Sequence, residues 1–409
     1  MAADGETGFD PAVIKRQFPG LADPGLIYLD NAATAQVPEV VLTAQRTFEV
    51  EARGNVHGTP HRRSRAAQAA YDHARAAVAR YLGVVPQEVV FAYGATSAIN
   101  IAAGALTELV GPRDRIVVTQ LEHHSNLLPW QRLAHHRDVR LEVIPVRPDG
   151  RLDLDRLDEI LHPDTRLVAI TQCSNVTGAE TDVARVVAAA RAVGAQVLLD
   201  GAQGAPHGPV DLPALGVDYY AFSGHKVYGP TGIGVLWGRQ EALAALPPFL
   251  VGGQMIREVT LQTATFADPP RRFEAGTPPL GGAVGLGAAL DWLGGLDWAA
   301  VRAHERNLTR RAIEGLRSLP GVRVVGPSDL DRRGPVVSFV AEGGDSLELC
   351  RRLDGDGLAL RSGHHCAQPL HDALGIPGTA RASFALYNLE SDVDALIAGV
   401  DRALRDLRR

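Results

Sequence analysis

The stretch FSGHKVYGPTGIGV (222–235) holds Lys226, one of only two lysines among 41 basic side chains, the other being Lys15. Everywhere else arginine supplies the positive charge. Arginine keeps its proton under ordinary conditions, whereas a lysine amine in a desolvated pocket can lose it and attack a carbonyl to form a Schiff base. A solvated surface residue is the plainer reading of an isolated lysine, so the neighbours of Lys226 decide. A second candidate nucleophile sits in RSGHHCAQPL (361–370), where Cys366 has Arg361, His364 and His365 within five positions. Cationic groups beside a thiol favour its thiolate, provided that the fold turns them inward. Cys173 and Cys350 lack such company and read as packing residues, the usual fate of a free cysteine.

Other polar groups recur where short apolar runs end. VLLDGAQ carries Asp200 and Gln203, AFSGHK carries Ser223 and His225, and VVTQLEHHSN carries His123 and His124. FAYGATSAIN places a Gly94-Ala95-Thr96 turn at the start of a helical stretch, whose free amides and dipole suit a phosphate. Taken singly, Asp200 reads equally well as a helix cap, and the histidines as ordinary half-buried side chains. Taken together, they offer a carbonyl partner for lysine, an acid for a ring nitrogen, a flat side chain to lie over a ring, and a phosphate cradle. Pyridoxal 5′-phosphate is the small cofactor that needs all four.

Groups at the ends of strands need a sheet to bring them together. Apolar, β-branched runs at 88–92, 115–120, 140–146, 165–172, 195–200, 218–224 and 232–238 alternate with Ala-rich amphipathic stretches such as 64–83 and 181–194. That alternation predicts an α/β fold with a mostly parallel seven-stranded sheet covered by helices, and ligands bind such sheets at the carboxyl ends of the strands. Only HKVYGPT separates the last two runs, so they should pair antiparallel at one side of the sheet. PPRRFEAGTPPLGG (269–282) reads as a crossing loop, followed by a helix and a smaller α+β unit from GVRVVGP (321–327) onward. The expected division is a large domain over 26–270, a crossing loop over 271–282, and a small domain made of 1–25 with 283–409.

Composition narrows the function classes. A chain of 409 residues exceeds what one core usually serves. Its net charge of −6 gives no basic field for nucleic acid, and no apolar run approaches the length of a membrane span. MAADGETGFD lacks the basic and apolar segments of a secretory signal, and three scattered cysteines make no disulfide framework and no C-x-x-C metal pair. The expectation is a cytoplasmic protein without nucleic-acid or membrane partners and with no bound metal. A non-enzymatic metal protein using EHH and GHHC is the contrasting reading, disfavoured because adjacent histidines poorly place both rings on one ion.

The segments EHHSNLLPW (122–130), SNVTG (174–178), DGAQ (200–203), FSGHKVYGPTGIGVLWG (222–238), RFEAGTP (272–278), RSGHHCAQPL (361–370) and RASFALYN (381–388) resemble, in order, those of Suf-type cysteine desulfurases. These are class V aminotransferase members of the fold-type I pyridoxal phosphate enzymes, and the resemblance spans about residues 26–405. It implies conversion of L-cysteine to L-alanine with a persulfide on Cys366, delivered to a sulfur-acceptor protein for iron–sulfur cluster or other sulfur-containing product assembly. Lys226 matches the lysine that holds the cofactor, Asp200 the acid at its ring nitrogen, and His123 the residue stacked on the ring. Thr96, Ser223 and His225 match phosphate contacts, Gln203 a contact to the phenolic oxygen, and Thr277 a residue reaching the phosphate of a second subunit in a homodimer. Asn175 and Arg381 match groups around the substrate, Arg381 facing its carboxylate; His57, Arg361 and His364 fall on the same side. L-selenocysteine lysis, or another pyridoxal phosphate lyase or aminotransferase reaction of secondary metabolism, fits the same framework.

Two positions depart from the pattern. NVHGTPHRRS (55–64) keeps His57 and His61 where the family reads N-x-H-R-G-x-H, but Gly58 replaces the arginine, and Ala95 stands where a hydroxyl is frequent. Arg62 or Arg63 is expected to take over the anion contact of the missing arginine.

Overall fold

The structure is a computed structural model that describes residues 9–58, 60–342 and 345–407. A short strand, β1 (Ile27–Tyr28), precedes the main sheet. That sheet contains β2 (Val89–Ala92), β3 (Arg115–Thr119), β4 (Arg140–Ile144), β5 (Thr165–Thr171), β6 (Gln196–Asp200), β7 (Tyr219–Ser223) and β8 (Gly234–Gly238), one for each predicted run, in the order β2-β8-β7-β6-β5-β3-β4. Strands β3 to β7 run parallel to one another, and β8 alone runs antiparallel, against both β7 and β2. The expected antiparallel pair, β7 with β8, lies toward one side of the sheet, with β2 outside it at the edge. Strands β2, β3 and β5 to β8 are buried almost throughout, which is why their sequences read as near-continuous apolar runs.

An exposed hairpin, β9 (Ile256–Val259) and β10 (Ala264–Phe266), follows. A second sheet is antiparallel and holds β11 (Val322–Val325), β12 (Val336–Ala341), β14 (Arg361–Gly363) and β15 (Thr379–Ser383), while β13 (Leu358–Ala359) pairs with β1. Helices Trp298–Arg317, Ser346–Gly355 and Glu390–Leu407 pack on it around Leu308, Phe339, Leu353 and Leu396. No helix among the described residues is long and apolar enough to cross a membrane.

The anticipated division at residue 283 cuts through one helix, Leu280–Leu293. Its Leu286, Leu290 and Leu293 join Tyr71, Ala74 and Val78 in the cluster on one face of the large sheet. Ile14, Phe18 and Leu21 belong to that cluster too, and so do Leu370 and Tyr387; Phe18 lies edge-on to Tyr387 at 4.6 Å and Lys15 meets Asp392 at 3.5 Å, so the N-terminal segment packs against both units. The crossing loop is tied down from within. Arg75, on the helix Arg62–Leu82, makes two 2.8 Å bonds to Glu274, and Glu274 also accepts from Tyr71 Oη at 3.0 Å and Phe91 N at 2.7 Å. The guanidinium lies over the Tyr71 and Phe91 rings, 4.9 and 4.8 Å from their centroids.

Removing one partner of such a pair leaves an uncompensated buried charge. Glu274→Ala is predicted to lower the unfolding free energy by about 3–5 kcal/mol, measured by urea denaturation; a loss below about 1 kcal/mol, the worth of an exposed pair, would contradict the buried-anchor account.

Candidate active site

Five strands deliver their carboxyl ends to one cavity of about 180 Å³, lined among others by Thr96, His123, Asn175, Asp200, Gln203, Ser223, His225, Lys226, Arg361, Cys366 and Arg381. After β2 the chain turns through Gly94 (φ 115°) into the helix Ala95–Leu106, which has no side-chain cap. A Cβ on Gly234 of β8 would come within 2.4 Å of Gly94 Cα, so the two glycines permit a backbone approach that brings the helix start against β8. Ser223 Oγ, at the end of β7, accepts from Ala95 N at 2.8 Å. Thr96 Oγ1 and Ser125 Oγ are 2.6 Å apart, and Ser125 also meets His123 Nδ1 at 3.0 Å. His225 Nδ1 faces Thr34 Oγ1 at 3.1 Å, and Gln203 Nε2 donates to Ala32 O at 2.7 Å.

Lys226 makes no hydrogen bond or ion pair with any described residue. Burial pushes its amine down to about 8; Asp200 opposes the shift, while Arg381 and Arg361 reinforce it. Burial raises the Asp200 carboxyl, moderated by the hydrogen bond from Ala202 N at 2.9 Å and by the Lys226 charge. His123 is pushed down to about 3 and His225 to about 4, by burial first and then by Lys226, so both rings are neutral at pH 7. Beside them, Asp30 holds Arg381 at 2.9 Å and lies 3.6 Å from Arg361. Arg381 also donates to Asn175 O at 3.0 Å, yet its buried Nε has no partner.

Of the three cysteines, Cys366 is exposed and Cys173 and Cys350 are buried. Burial raises both buried thiols, Cys350 to about 12, in keeping with packing roles. The imidazole next to Cys366 in the cavity is His365, not His364. His364 is exposed and packs edge-on against His371 with ring centroids 5.2 Å apart. His365 is pushed down to about 2, chiefly by burial, so it brings no positive charge. The cations in the cavity beside Cys366 are Arg361, Arg381 and protonated Lys226.

Thr277 is exposed and His57 packs edge-on against Tyr71, 6.3 Å between centroids; neither lines the cavity. Arg62 and Arg63 do not line it either. Arg62 is exposed in the first turn of its helix and Arg63 donates to Val50 O at 3.2 Å, so the anticipated takeover of an anion contact does not occur in this chain's cavity. Gly58 has φ 106°, a conformation that strains any side chain, although no atom lies within 4 Å of the position a Cβ would take.

Three residues went unnoticed in the sequence. Asp30 sits in an isolated bridge to Ser383 and Ser125 in the short 3-10 helix His124–Asn126, neither with a periodic signal. Glu122 adjoins the histidine pair and is buried under it, where Thr119 Oγ1 and Asn126 Nδ2 donate to its carboxylate at 2.6 Å and Thr171 N at 2.9 Å. Burial pushes this carboxyl up to about 8, but three donors and no facing acceptor favour its ionised form. A larger cleft of about 650 Å³ lies beyond Gln203. Among its charged groups His207 pairs with Glu305, Arg306 with Asp331 and Arg332 with Asp182, while Arg333 keeps a buried Nε without a partner.

The lowered amine gives a pH test. Labelling of Lys226 by a small amine-reactive reagent, in protein stripped of any bound carbonyl compound, should rise with pH through a midpoint of about 8, because the deprotonated amine reacts. Peptide mass mapping reads the profile, and a midpoint above the ordinary lysine value of about 10.4 would contradict the desolvated site.

Residues 27–396 match the family model described as aminotransferase class-V. The chain is 46% identical to a probable cysteine desulfurase 2 of Mycobacterium leprae, over 97% of both chains. It superposes with a TM-score of 0.91 on the S-sulfonic acid form of a cysteine desulfurase from Escherichia coli, 42% identical, covering 97% of this chain and 99% of that one. At 25% identity and a TM-score of 0.82, covering 95% and 98%, it also matches a lysine-to-alanine variant of C-DES that carries glycine covalently linked to its pyridoxal phosphate cofactor. The cavity fits that cofactor: an unpartnered amine of lowered pKa, a buried carboxylate beside it, a neutral imidazole, and the uncapped helix start with Ser223 and Thr96. The chain thus belongs to the class V aminotransferase family, and the relatives it matches over nearly their whole length are cysteine desulfurases.

Proposed function

We propose that this protein takes sulfur from L-cysteine, releases L-alanine, and holds the sulfur as a persulfide on Cys366. One observation carries the reading: the exposed cysteine of the three shares a cavity with Lys226, Asp200 and Arg381. Pyridoxal phosphate, when bound, supplies an electron sink for charge developing at the amino-acid carbon. Lys226 would hold it, with Asp200 paired to its ring nitrogen and His123 over the ring. Gln203 would contact its phenolic oxygen, and Thr96, Ser223, His225 and the free amides at the helix start its phosphate.

The remaining steps belong to the chain's own groups. Arg381, anchored by Asp30 and Asn175 O, lines the cavity and would pair with a substrate carboxylate, with Arg361 at the rim. Lys226 Nζ, with a pKa near working pH, takes the proton from the α-carbon and returns it, a role that needs a pKa matched to the medium. Cys366 Sγ then bonds the substrate sulfur as the carbon–sulfur bond breaks. The electron pair stays with the carbon skeleton, which takes up protons and leaves as alanine.

The same reading includes a homodimer in the cytoplasm. Its support is an exposed apolar run, Phe249, Leu250 and Val251, with Leu261 99% exposed at the hairpin tip. Gly253 O in this region accepts from Gly276 N at 2.8 Å, which sets the run beside Thr277. A second copy covering this face would bring Thr277 of each chain to the other's site. Free thiols suit a reducing compartment, and the exposure of Cys366 suits handover to an acceptor protein, for iron–sulfur clusters or another sulfur-containing product.

Cys366→Ala should keep the yellow colour of bound cofactor and lose alanine formation by more than about 10³-fold, while Cys173→Ala and Cys350→Ala stay active. Alanine quantified after incubation with L-cysteine decides, and a Cys366 variant that desulfurates normally sinks the reading in favour of an elimination.

A further inference from the structure

Cys366 is presented by backbone that needs to be held. His365 and Cys366 both have positive φ, 51° and 57°, a conformation rarely adopted by residues with side chains. The next element is the short helix Gln368–Ala373, which has no side-chain cap of its own and Pro369 in its first turn, so the amide of Gln368 is an orphan donor. Asn175 Nδ2 donates to His365 O at 2.7 Å and fixes the residue before Cys366. The residues on the other side are gripped from a different strand end. His124 N donates to Cys366 O at 2.7 Å, and His124 Nε2 accepts from Gln368 N at 3.2 Å. One residue thus takes hold of the cysteine segment twice, through its main chain at position 366 and its ring at position 368.

We infer that His124 is a positioning residue for Cys366, clamping the cysteine segment to the turn that carries His123; the inference rests on the reading of Cys366 as the nucleophile. The argument is one of donors and acceptors. The Gln368 amide can only donate, so the ring must present a bare Nε2, which requires a neutral imidazole with its proton on Nδ1. The neighbourhood favours that state, because partial burial and the nearby His364 both disfavour a charge on His124. His123 and His124 are consecutive residues on the turn after β3, so one piece of backbone fixes both the flat ring in the cavity and the carbonyl of the cysteine. The adjacent histidines therefore divide into one that lines the cavity and one that grips the loop over it.

Losing one net hydrogen bond of this kind shifts the clamped population by roughly three- to tenfold. A loosened loop exposes the thiol more and aims it less, so two readouts should move in opposite directions. In holoenzyme, His124→Leu fills the space without an acceptor and is expected to raise the rate of Cys366 alkylation by iodoacetamide about three- to tenfold, while alanine formation falls by a similar factor. Cys173 and Cys350 should stay unmodified, which separates a loosened loop from unfolding. His124→Gln, which carries a carbonyl oxygen at about the reach of Nε2, should stay within about twofold of the parent in both readouts. Should the Leu variant expose the buried cysteines, His124→Ala takes its place in the same comparison. The proposal is overturned if deleting the acceptor leaves alkylation within about twofold, or if the Gln variant is as damaged as the Leu variant. If alkylation responds but alanine formation does not, the clamp stands and the role given to Cys366 is what fails.

Discussion

The structure depends on keeping one amine desolvated, unpaired and reactive. Lys226 has no hydrogen-bond or ion-pair partner among the described residues, and Arg361 and Arg381 disfavour its charge further. Asp200 and Cys366 supply the opposing field, which keeps the amine near about 8 rather than lower. A flexible loop would let such a lysine turn out to water. Here it follows β7 directly, in a turn fixed by Gly224 N bonded to Ile233 O and by Gly229 N bonded to Gly224 O, with strands β6 and β8 on either side. The antiparallel β8 closes the space beneath the turn, and its Gly234 admits the helix start that faces the cavity.

The second unit completes what the first begins. Arg361 and Arg381 come from neighbouring antiparallel strands, β14 and β15, and are register partners across that pair. Both lean on Asp30, which lies just after β1 in the N-terminal segment. The cavity is therefore lined from sequence positions 32 to 381, and its polar groups meet only once both sheets and the first strand have packed. The Arg75–Glu274 pair plays the matching part on the other side, fixing the loop toward Thr277 against β2 and the helix Arg62–Leu82.

Much of this was legible in the sequence, for physical reasons that differ by element. All seven strands of the large sheet were recognisable because both faces are buried and the residues show it. Lys226 stood out because an arginine-rich chain kept a lysine there, and Asp200, Ser223 and His123 because strand ends carry ligands. What could not be read depends on long-range pairing. Nothing local in LDNAAT marks Asp30 as the anchor of two arginines more than 300 residues away, and nothing in GHHC tells which imidazole turns inward. The backbone decides that: the positive φ at His365 and Cys366 sends His365 into the protein, where it is neutral, and leaves His364 outside. The place of the helix Leu280–Leu293 was not legible, because a largely apolar helix looks alike in either unit, and only its packing against Tyr71 and Ala74 locates it.

The central claim is that Lys226 holds the cofactor and does so alone. Borohydride reduction of purified holoprotein, followed by peptide mass mapping, tests it most directly. The account predicts a pyridoxyl adduct on the peptide containing Lys226 and an unmodified Lys15. An adduct on Lys15, or no adduct on yellow protein, would contradict it.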